Sequence, residues 1–396
     1  MAARSVVPIR LITALAAIVP LTFALGGNEP PNVLIERGAE LIHQGKYDQA
    51  ENALRAALTG LGDSEGVEWF IAMSNLGTTF YYRGRFAEAG KAFRRALEIW
   101  PRLPAGSRPN GAAVLSNLAL VYSQTGQFDA AERTGIEVLA VLEKTYGPDS
   151  NSVAKALNNL AGIHREQGKY KAAEVEARRA VWILSKAGDS EPMALAASLE
   201  QLAAIQELQG NLDEAEVLLV RTKEICESTV GSTDPRLAEM YAAIGALRIK
   251  QHRYDEAKVS LERALGIWRQ SDSSKSPQLA RSLNNLSQVY KLTGEYEHAE
   301  PLYRQSIALC MDTLGDQHPS CGIFLGNFAD LLALEGRFKA AKTTYERAIS
   351  ILEARLGSRH PDVAQLRDQL AALERRPARE SAWTVNVRQL QHSPAH

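Results

Sequence analysis

The chain has 396 residues, of which 45% are hydrophobic and 23% are charged. A chain of this length exceeds the usual size of one compact core, so we expect several domains or a linear array. The net charge of −1 excludes a strongly basic surface of the kind that attracts nucleic acid or anionic membranes, and no nucleic-acid partner is expected.

The N-terminal segment 1–26 has the three-part layout of a secretory signal peptide. Arg4 and Arg10 precede an apolar run over residues 11–25, and small residues follow. We predict cleavage after Gly26 and an exported protein, periplasmic or secreted. The alternative is an uncleaved N-terminal membrane anchor, although the run is shorter than a spanning helix needs. Unless this segment is retained, no membrane insertion is expected.

A sequence repeat fills most of the remaining chain. Its signature is glycine, any residue, an aromatic residue, two further residues and alanine, and consecutive copies lie 39 residues apart once and 42 residues apart six times. The copies are GKYDQA at Gly45, GRFAEA at Gly84, GQFDAA at Gly126, GKYKAA at Gly168, GNLDEA at Gly210, HRYDEA at His252, GEYEHA at Gly294 and GRFKAA at Gly336. Such regular spacing predicts eight structural units of one kind, repeats 1 to 8.

Each repeat predicts two helices. With the glycine numbered as position 15, apolar residues at positions 4, 7 and 11 form the stripe of an amphipathic helix A. Glycine at position 15 suits the left-handed conformation that ends a helix and turns the chain, and His252 stands there in repeat 6. Helix B follows, with alanine at position 20 in every repeat. Small residues at position 8 let the two helices pack closely as an antiparallel pair.

One helix pair cannot bury its apolar faces alone, whereas stacked pairs can. We therefore predict an all-α solenoid of about eight antiparallel helix pairs over residues 32–375. Connectors such as LGDQHPSCG at 314–322 end one helix at glycine and begin the next near proline. Residues 361–375 are predicted to form a capping helix, and 376–396, which lack helical periodicity, a flexible tail.

Repeat 2 carries the signature of a known family. It resembles a tetratricopeptide repeat (TPR) at nearly every signature position: Leu76, Gly77, Phe80, Gly84, Phe86, Ala89, Phe93, Ala96 and Pro101. The 42-residue period and the connectors resemble the longer variety found in kinesin light chains and in many bacterial proteins. The resemblance covers residues 32–375. It implies a right-handed superhelical scaffold that binds a protein or an extended peptide in a concave groove lined by helix A.

On helix A, positions 2, 5, 6, 9, 12 and 13 point away from the apolar stripe, and we call these positions the groove face. An amide side chain there can pair with both the N–H and the C=O of a peptide backbone. Amides occupy position 6 as Asn75, Asn117, Asn159, Gln201, Asn285 and Asn327, and position 5 as Asn158 and Asn284. The alternative interpretation is that these amides only cap or cross-link neighbouring helices.

Other groove-face residues are charged or aromatic. Four basic side chains are candidates for binding a carboxylate of the partner: Lys155, Arg165, Arg281 and Lys291. Tyr81 offers an aromatic surface near the N-terminal end, unless it packs on the first repeat.

No motif of an active site is present: there is no HExxH pair, zinc-type Cys/His set, P-loop or GxSxG elbow. We predict a non-enzymatic interaction scaffold without metal or cofactor. The alternative is a structural or assembly component that self-associates or bridges complexes through its convex face or its ends. The three cysteines are too few for a disulfide framework. We expect Cys226, Cys310 and Cys321 to be buried and unpaired, with a Cys310–Cys321 bridge as the alternative.

Overall fold

The structure is a computed structural model, and it describes residues 29–375 except 105, 107, 108 and 272–274. The predicted signal peptide or anchor and the predicted tail lie outside the described residues. Within them the secondary structure is helical, with no strand. None of the described helices combines the length and the apolar character that a bilayer crossing requires.

Seventeen α-helices follow one another in the described part of the chain. They are α1 Pro31–His43, α2 Tyr47–Leu61, α3 Val67–Tyr82, α4 Phe86–Ile99, α5 Gly111–Gln124, α6 Phe128–Tyr146, α7 Asn151–Glu166, α8 Tyr170–Lys186, α9 Pro192–Leu208, α10 Leu212–Thr229, α11 Pro235–Lys250, α12 Tyr254–Gln270, α13 Pro277–Thr293, α14 Tyr296–Leu314, α15 Pro319–Leu334, α16 Phe338–Leu356 and α17 Pro361–Glu374. Odd-numbered helices up to α15 are the A helices, and even-numbered helices are the B helices. The predicted all-α fold of eight helix pairs and a final helix is confirmed.

The described chain divides into two compact bodies, and the boundary after Thr222 falls inside α10. In the N-terminal body, residues 29–222, each helix from α1 to α8 packs on the next one in sequence. In the C-terminal body, residues 223–375, the same holds from α11 to α16. A helices of adjacent repeats also contact each other, as in α5 with α7 and α11 with α13. Each body is therefore a stack of helix pairs, the arrangement that nearest-neighbour packing predicts.

The predicted apolar positions form the core. Position 7 is less than a tenth exposed in repeats 2 to 8, where it is Leu76, Leu118, Leu160, Leu202, Ile244, Leu286 and Phe328. The alanines at position 20 have no exposed surface at all: Ala50, Ala89, Ala131, Ala173, Ala215, Ala257, Ala299 and Ala341. A larger side chain at position 20 has no room, because protein interiors are packed to near-crystalline density.

In repeats 2 and 6, position 8 is glycine and faces a large residue at position 24 inside the helix pair. A Cβ added at Gly77 in α3 would lie 2.6 Å from the ring of Phe93 in α4. A Cβ added at Gly245 would lie 2.7 Å from the side chain of Leu261. Glycine at position 8 therefore makes room for a large residue at position 24.

Repeat 3 reverses this pattern, with Ala119 at position 8 and Gly135 at position 24. Gly135 is the one glycine at position 24 of the eight repeats. A Cβ on Gly135 would lie 3.0 Å from Cδ1 of Leu160 in α7. The glycine in α6 thus makes room for a core leucine of the next repeat.

Two of the three cysteines form a disulfide, so the expectation that all three are unpaired is wrong. Cys310 of α14 is bonded to Cys321 of α15, with their Cα atoms 5.7 Å apart, and Cys226 is buried and free. The repeat explains the pairing. Residues at the same two positions four junctions nearer the N-terminal end, Leu142 and Val153, share one apolar cluster. Because these positions meet at a repeat junction, two cysteines placed there come within bonding distance.

The turn of repeat 6 keeps its shape although it lacks glycine. His252 has a φ of 60°, and it is the one non-glycine residue with positive φ in the described chain. Its N–H donates to the Ile249 carbonyl at 3.0 Å, as the N–H of Gly84 donates to the Tyr81 carbonyl at 2.9 Å. The histidine therefore adopts a left-handed conformation that costs an L-residue free energy.

Replacing His252 by glycine is expected to raise the free energy of unfolding by about 0.5 to 1 kcal/mol. The gain is limited because the variant loses the contact between His252 Nδ1 and the Tyr254 hydroxyl at 2.9 Å. Urea denaturation measures the change. As the matched control, Gly84→His places an L-residue at a φ of 72° and is expected to destabilise. A less stable His252→Gly variant would show that the imidazole contact outweighs the strain.

Candidate partner-binding face of the A helices

The position-6 amides of the N-terminal body differ in exposure. Asn75 in α3 and Asn117 in α5 are only 1% and 3% exposed. Asn159 in α7 is half-buried, and Gln201 in α9 is 5% exposed. The predicted amide row is thus present on consecutive A helices, but most of its members are enclosed.

Three groove-face amides of this body each have a buried polar atom without a hydrogen-bond partner: Asn75 Nδ2, Asn158 Oδ1 and Gln201 Nε2. The opposite ends of two amides are engaged. Asn158 Nδ2 donates to Ser198 Oγ at 2.5 Å, and Gln201 Oε1 accepts from Arg165 at 3.0 Å. These bonds assign the orientation of both amides. Each unpaired buried atom costs about 1 to 3 kcal/mol of desolvation.

In the C-terminal body one hydrogen bond joins two of the predicted amides. Asn327 Nδ2 of α15 donates to Asn284 Oδ1 of α13 at 3.2 Å, and Asn284 is only 4% exposed. This pair cross-links neighbouring A helices. Asn285, the next residue of α13, is half-buried, and its side chain forms no hydrogen bond with any residue that the structure describes.

Three of the four basic candidates are engaged by side chains of their own body. Lys155 pairs with Glu191 at 2.8 Å, and its ammonium lowers the pKa of the Glu191 carboxyl. Lys291, largely buried, pairs with Asp330 at 3.1 Å. Arg165 is 7% exposed and donates to Gln201, as described above. Arg281 is exposed, and no side chain of the described residues pairs with it.

Tyr81 packs into an aromatic cluster at the first two repeats. Its ring meets those of Tyr82 and Phe86 edge to face, with centroids 6.0 and 5.4 Å apart, and Tyr82 stacks on Tyr47 at 5.2 Å. Burial, and then the charges of Tyr82 and Glu166, raise the pKa of Tyr81 to about 12. The hydroxyl therefore stays protonated at physiological pH. Tyr82 is the more open ring, 42% exposed.

Sequence reasoning missed the partners that orient these groups. Asn158 is bound by Ser198, which lies in α9 at position 3 of repeat 5. Lys155 is bound by Glu191, which directly precedes α9. The sequence feature that could have indicated the first of these contacts is a polar residue, Ser198, on an A helix that packs against the preceding A helix. Among the described residues, no set of three or more His, Cys, Asp or Glu side chains is placed to hold a metal ion.

Comparison with solved structures finds the following similar proteins, all at low sequence identity. The quorum sensor NprR from B. thuringiensis is 13% identical over 81% of this chain and 87% of its own, with a TM-score of 0.65. A Rap protein complexed with competence and sporulation factor is 14% identical over 87% and 97%, with a TM-score of 0.53. The TPR-like repeats of a kinesin light chain from Podosopora anserina are 25% identical over 50% and 94%, with a TM-score of 0.46.

Family models match three segments of the chain. The MalT-like TPR region matches residues 32–248, more than half of the chain. Two tetratricopeptide repeat models match residues 238–312 and 325–362. No curated protein matches the chain significantly. The matched segments, the 42-residue period and the stacked helix pairs agree: the chain belongs to the tetratricopeptide repeat family.

Proposed function

We propose that this protein is a non-enzymatic interaction scaffold that binds an extended peptide segment of a partner protein on the groove face of its A helices. The observation that carries the proposal is the set of buried, unpaired amide atoms on Asn75, Asn158 and Gln201. They comprise two donors and one acceptor, and an extended backbone offers C=O and N–H groups in alternation. Neighbouring side chains cover these atoms in the free protein, so we infer that the amides turn outward when a peptide binds. The bound backbone then relieves the desolvation cost that the atoms carry in the free protein.

The family supports an interaction role at the level of the fold. A Rap protein, whose solved structure contains competence and sporulation factor, and the quorum sensor NprR stack helices in a similar way. The peptide and its binding position in this chain are proposed from its own side chains, because identities of 13% and 14% relate the folds alone.

In the C-terminal body we propose a carboxylate of the partner as the ligand of Arg281 and Asn285. The two residues are four apart in α13 and therefore lie on the same side of the helix. Arg281 is exposed, Asn285 is half-buried, and neither side chain has a partner in the described residues. A guanidinium and an amide together supply donors to both oxygens of a carboxylate.

The second candidate function, an assembly component that binds through its B helices, is favoured by three exposed apolar residues. Val175 and Trp182 of α8 are 69% and 47% exposed, and Val217 of α10 is 68% exposed. Val175 and Val217 occupy the same repeat position. Exposed apolar side chains at corresponding positions are typical of a contact surface.

We also propose that the protein acts outside the cytoplasm. The Cys310–Cys321 disulfide supports this location because disulfides persist in oxidising compartments and are reduced in the cytosol. Mass spectrometry of the mature N-terminus distinguishes cleavage after Gly26 from a retained anchor.

The groove-face proposal is tested with peptides selected from a random display library on the wild-type protein. Replacing Asn75, Asn158 and Gln201 together by alanine is expected to weaken binding of a selected peptide at least about tenfold, since each lost hydrogen bond contributes roughly 0.5 to 1.5 kcal/mol. Isothermal calorimetry measures the affinity.

Two controls separate binding from folding. Asn75→Ala alone is expected to leave stability unchanged or slightly raised, because it removes an unpaired buried atom. Asn284→Ala is expected to lower stability, because it breaks the bond to Asn327. Unchanged affinity in the triple variant would contradict the proposal, and loss of binding on replacing Val175 and Trp182 by aspartate would favour the B-helix surface.

A further inference from the structure

One position of the repeat, directly before the next odd-numbered helix, caps that helix. Its residues accept a hydrogen bond from a backbone N–H in the first turn of that helix, and they are Ser150, Asp234, Ser276, His318 and His360. His318 Nδ1 accepts from the Ser320 N–H at 3.2 Å, and His360 Nδ1 accepts from the Asp362 N–H at 3.3 Å. The last two caps are therefore imidazoles.

An imidazole caps a helix only in its neutral form. A serine hydroxyl or an aspartate carboxylate accepts a hydrogen bond throughout the physiological pH range, whereas a protonated histidine has a donor on both ring nitrogens. Protonation of Nδ1 thus places the ring N–H against the backbone N–H of the first turn, and neither group can accept the other's hydrogen bond. It also adds a positive charge at a helix N-terminus, where the helix dipole disfavours cations.

We propose that the joint between α14 and α15 is a pH-sensitive hinge, in which protonation of His318 releases the first turn of α15. The joint consists of the connector from Gly315 to His318, where the His318 N–H donates to the Gly315 carbonyl at 3.1 Å. The disulfide holds Cys321, in that first turn, to α14. Release therefore frees the backbone of the turn and leaves α15 attached.

The surroundings of His318 favour the neutral, capping form at neutral pH. Burial, and then the positive charge of Arg355 from α16, lower the pKa of His318 below its ordinary value of 6.5. No carboxylate of the described residues forms an ion pair with it. Because the folded-state pKa lies below the unfolded one, the stabilisation is fully present above pH 6.5. It is lost as the pH falls through the folded-state pKa.

His360 provides an internal comparison. Asp362 Oδ2 lies 3.7 Å from His360 Nδ1, and the corresponding residue in the α15 joint is Ser320. Asp362 places a carboxylate in the first turn of α17, where the helix dipole favours an anion, whereas α15 has no acidic residue in its first turn. Acid is therefore expected to loosen the first turn of α15 more than that of α17.

The test is amide hydrogen exchange on the full chain with its disulfide intact, at about pH 7.5 and about pH 5.5. Protection of the Ser320 and Cys321 amides, corrected for intrinsic exchange, is expected to fall roughly fivefold in acid, and that of Asp362 to change less. His318→Ser, which copies Ser276, is expected to abolish the fall. Ser320→Asp, which copies Asp362, is expected to reduce it.

Nitrogen NMR of the histidine rings gives an independent readout. Neutral His318 is expected to carry its proton on Nε2 and to titrate below 6.5, its ordinary pKa. Equal protection at both pH values in the wild type would overturn the proposal, and so would an undiminished fall in His318→Ser.

Discussion

Replacing Gly77 by alanine is expected to lower the free energy of unfolding by about 1 to 3 kcal/mol. Alanine forms helices better than glycine by about 1 kcal/mol, so helix propensity alone predicts the opposite sign. The new Cβ would lie 2.6 Å from Cε1 of Phe93, and Phe93 is 0% exposed. The ring is enclosed and cannot move aside without displacing its neighbours. Urea denaturation, together with hydrogen exchange in α3 and α4, measures the effect.

The fifth repeat supplies the matched control. It has Ala203 at position 8 and Leu219 at position 24, and both are buried. The double variant Gly77→Ala/Phe93→Leu copies this pair, so its cost is expected to be smaller than the sum of the two single costs. Additive costs, or a Gly77→Ala variant as stable as the wild type, would show that the two positions are not in tight contact.

Loss of the disulfide is expected to lower the free energy of unfolding of the C-terminal body by about 2 to 3 kcal/mol, as for other short closed loops. Cys310 and Cys321 are separated by 11 residues, and the bond restricts the unfolded chain between them. Thermal unfolding of the wild type with and without reductant measures the effect, and the reduced protein is expected to unfold at the lower temperature.

The variant Cys310→Leu/Cys321→Val separates the cross-link from the packing. It copies the buried pair Leu142 and Val153, which occupies the same two positions at an earlier junction. The variant is expected to retain the apolar contact and to be insensitive to reductant. If reductant leaves the unfolding temperature of the wild type unchanged, the bond makes no contribution to stability.

Much of the fold can be predicted from the sequence because the residues that determine it recur at a fixed spacing. A residue that recurs every 42 positions on one helix face is buried against the same kind of neighbour each time. Position 20, alanine throughout, is therefore fully buried, and position 7 is buried in every repeat where it is apolar. The departures are also local: Gly135 in repeat 3 is explained by one residue of the next helix, Leu160.

The candidate site was less predictable, because its state depends on the stagger between adjacent A helices. The sequence places Asn284, Asn285 and Asn327 on one face. It does not indicate that Asn327 reaches Asn284 at 3.2 Å and that Asn285 is left unpaired. Likewise, Lys291 and Arg281 are both basic residues on the groove face of α13. Among the described residues, only Lys291 forms an ion pair with an aspartate. A shift of about 1 Å between helices decides such hydrogen bonds.

The same argument applies to the disulfide and to the histidine caps. The spacing of Cys310 and Cys321 left both the paired and the unpaired state open, and the repeat junction decides between them. His318 and His360 occupy corresponding connectors, but the sequence does not indicate that each imidazole accepts a backbone hydrogen bond, as both do in the folded chain.

The most direct test of the central claim observes the unpaired amides themselves. Selective labelling with ¹⁵N resolves the side-chain NH₂ groups of Asn75 and Gln201 in the free protein and after addition of a selected peptide. If the groove face binds peptide backbone, both NH₂ signals shift, because Nδ2 and Nε2 become donors to peptide carbonyls. If both signals stay in place while the indole signal of Trp182 moves, the peptide binds the B-helix surface and the claim is contradicted.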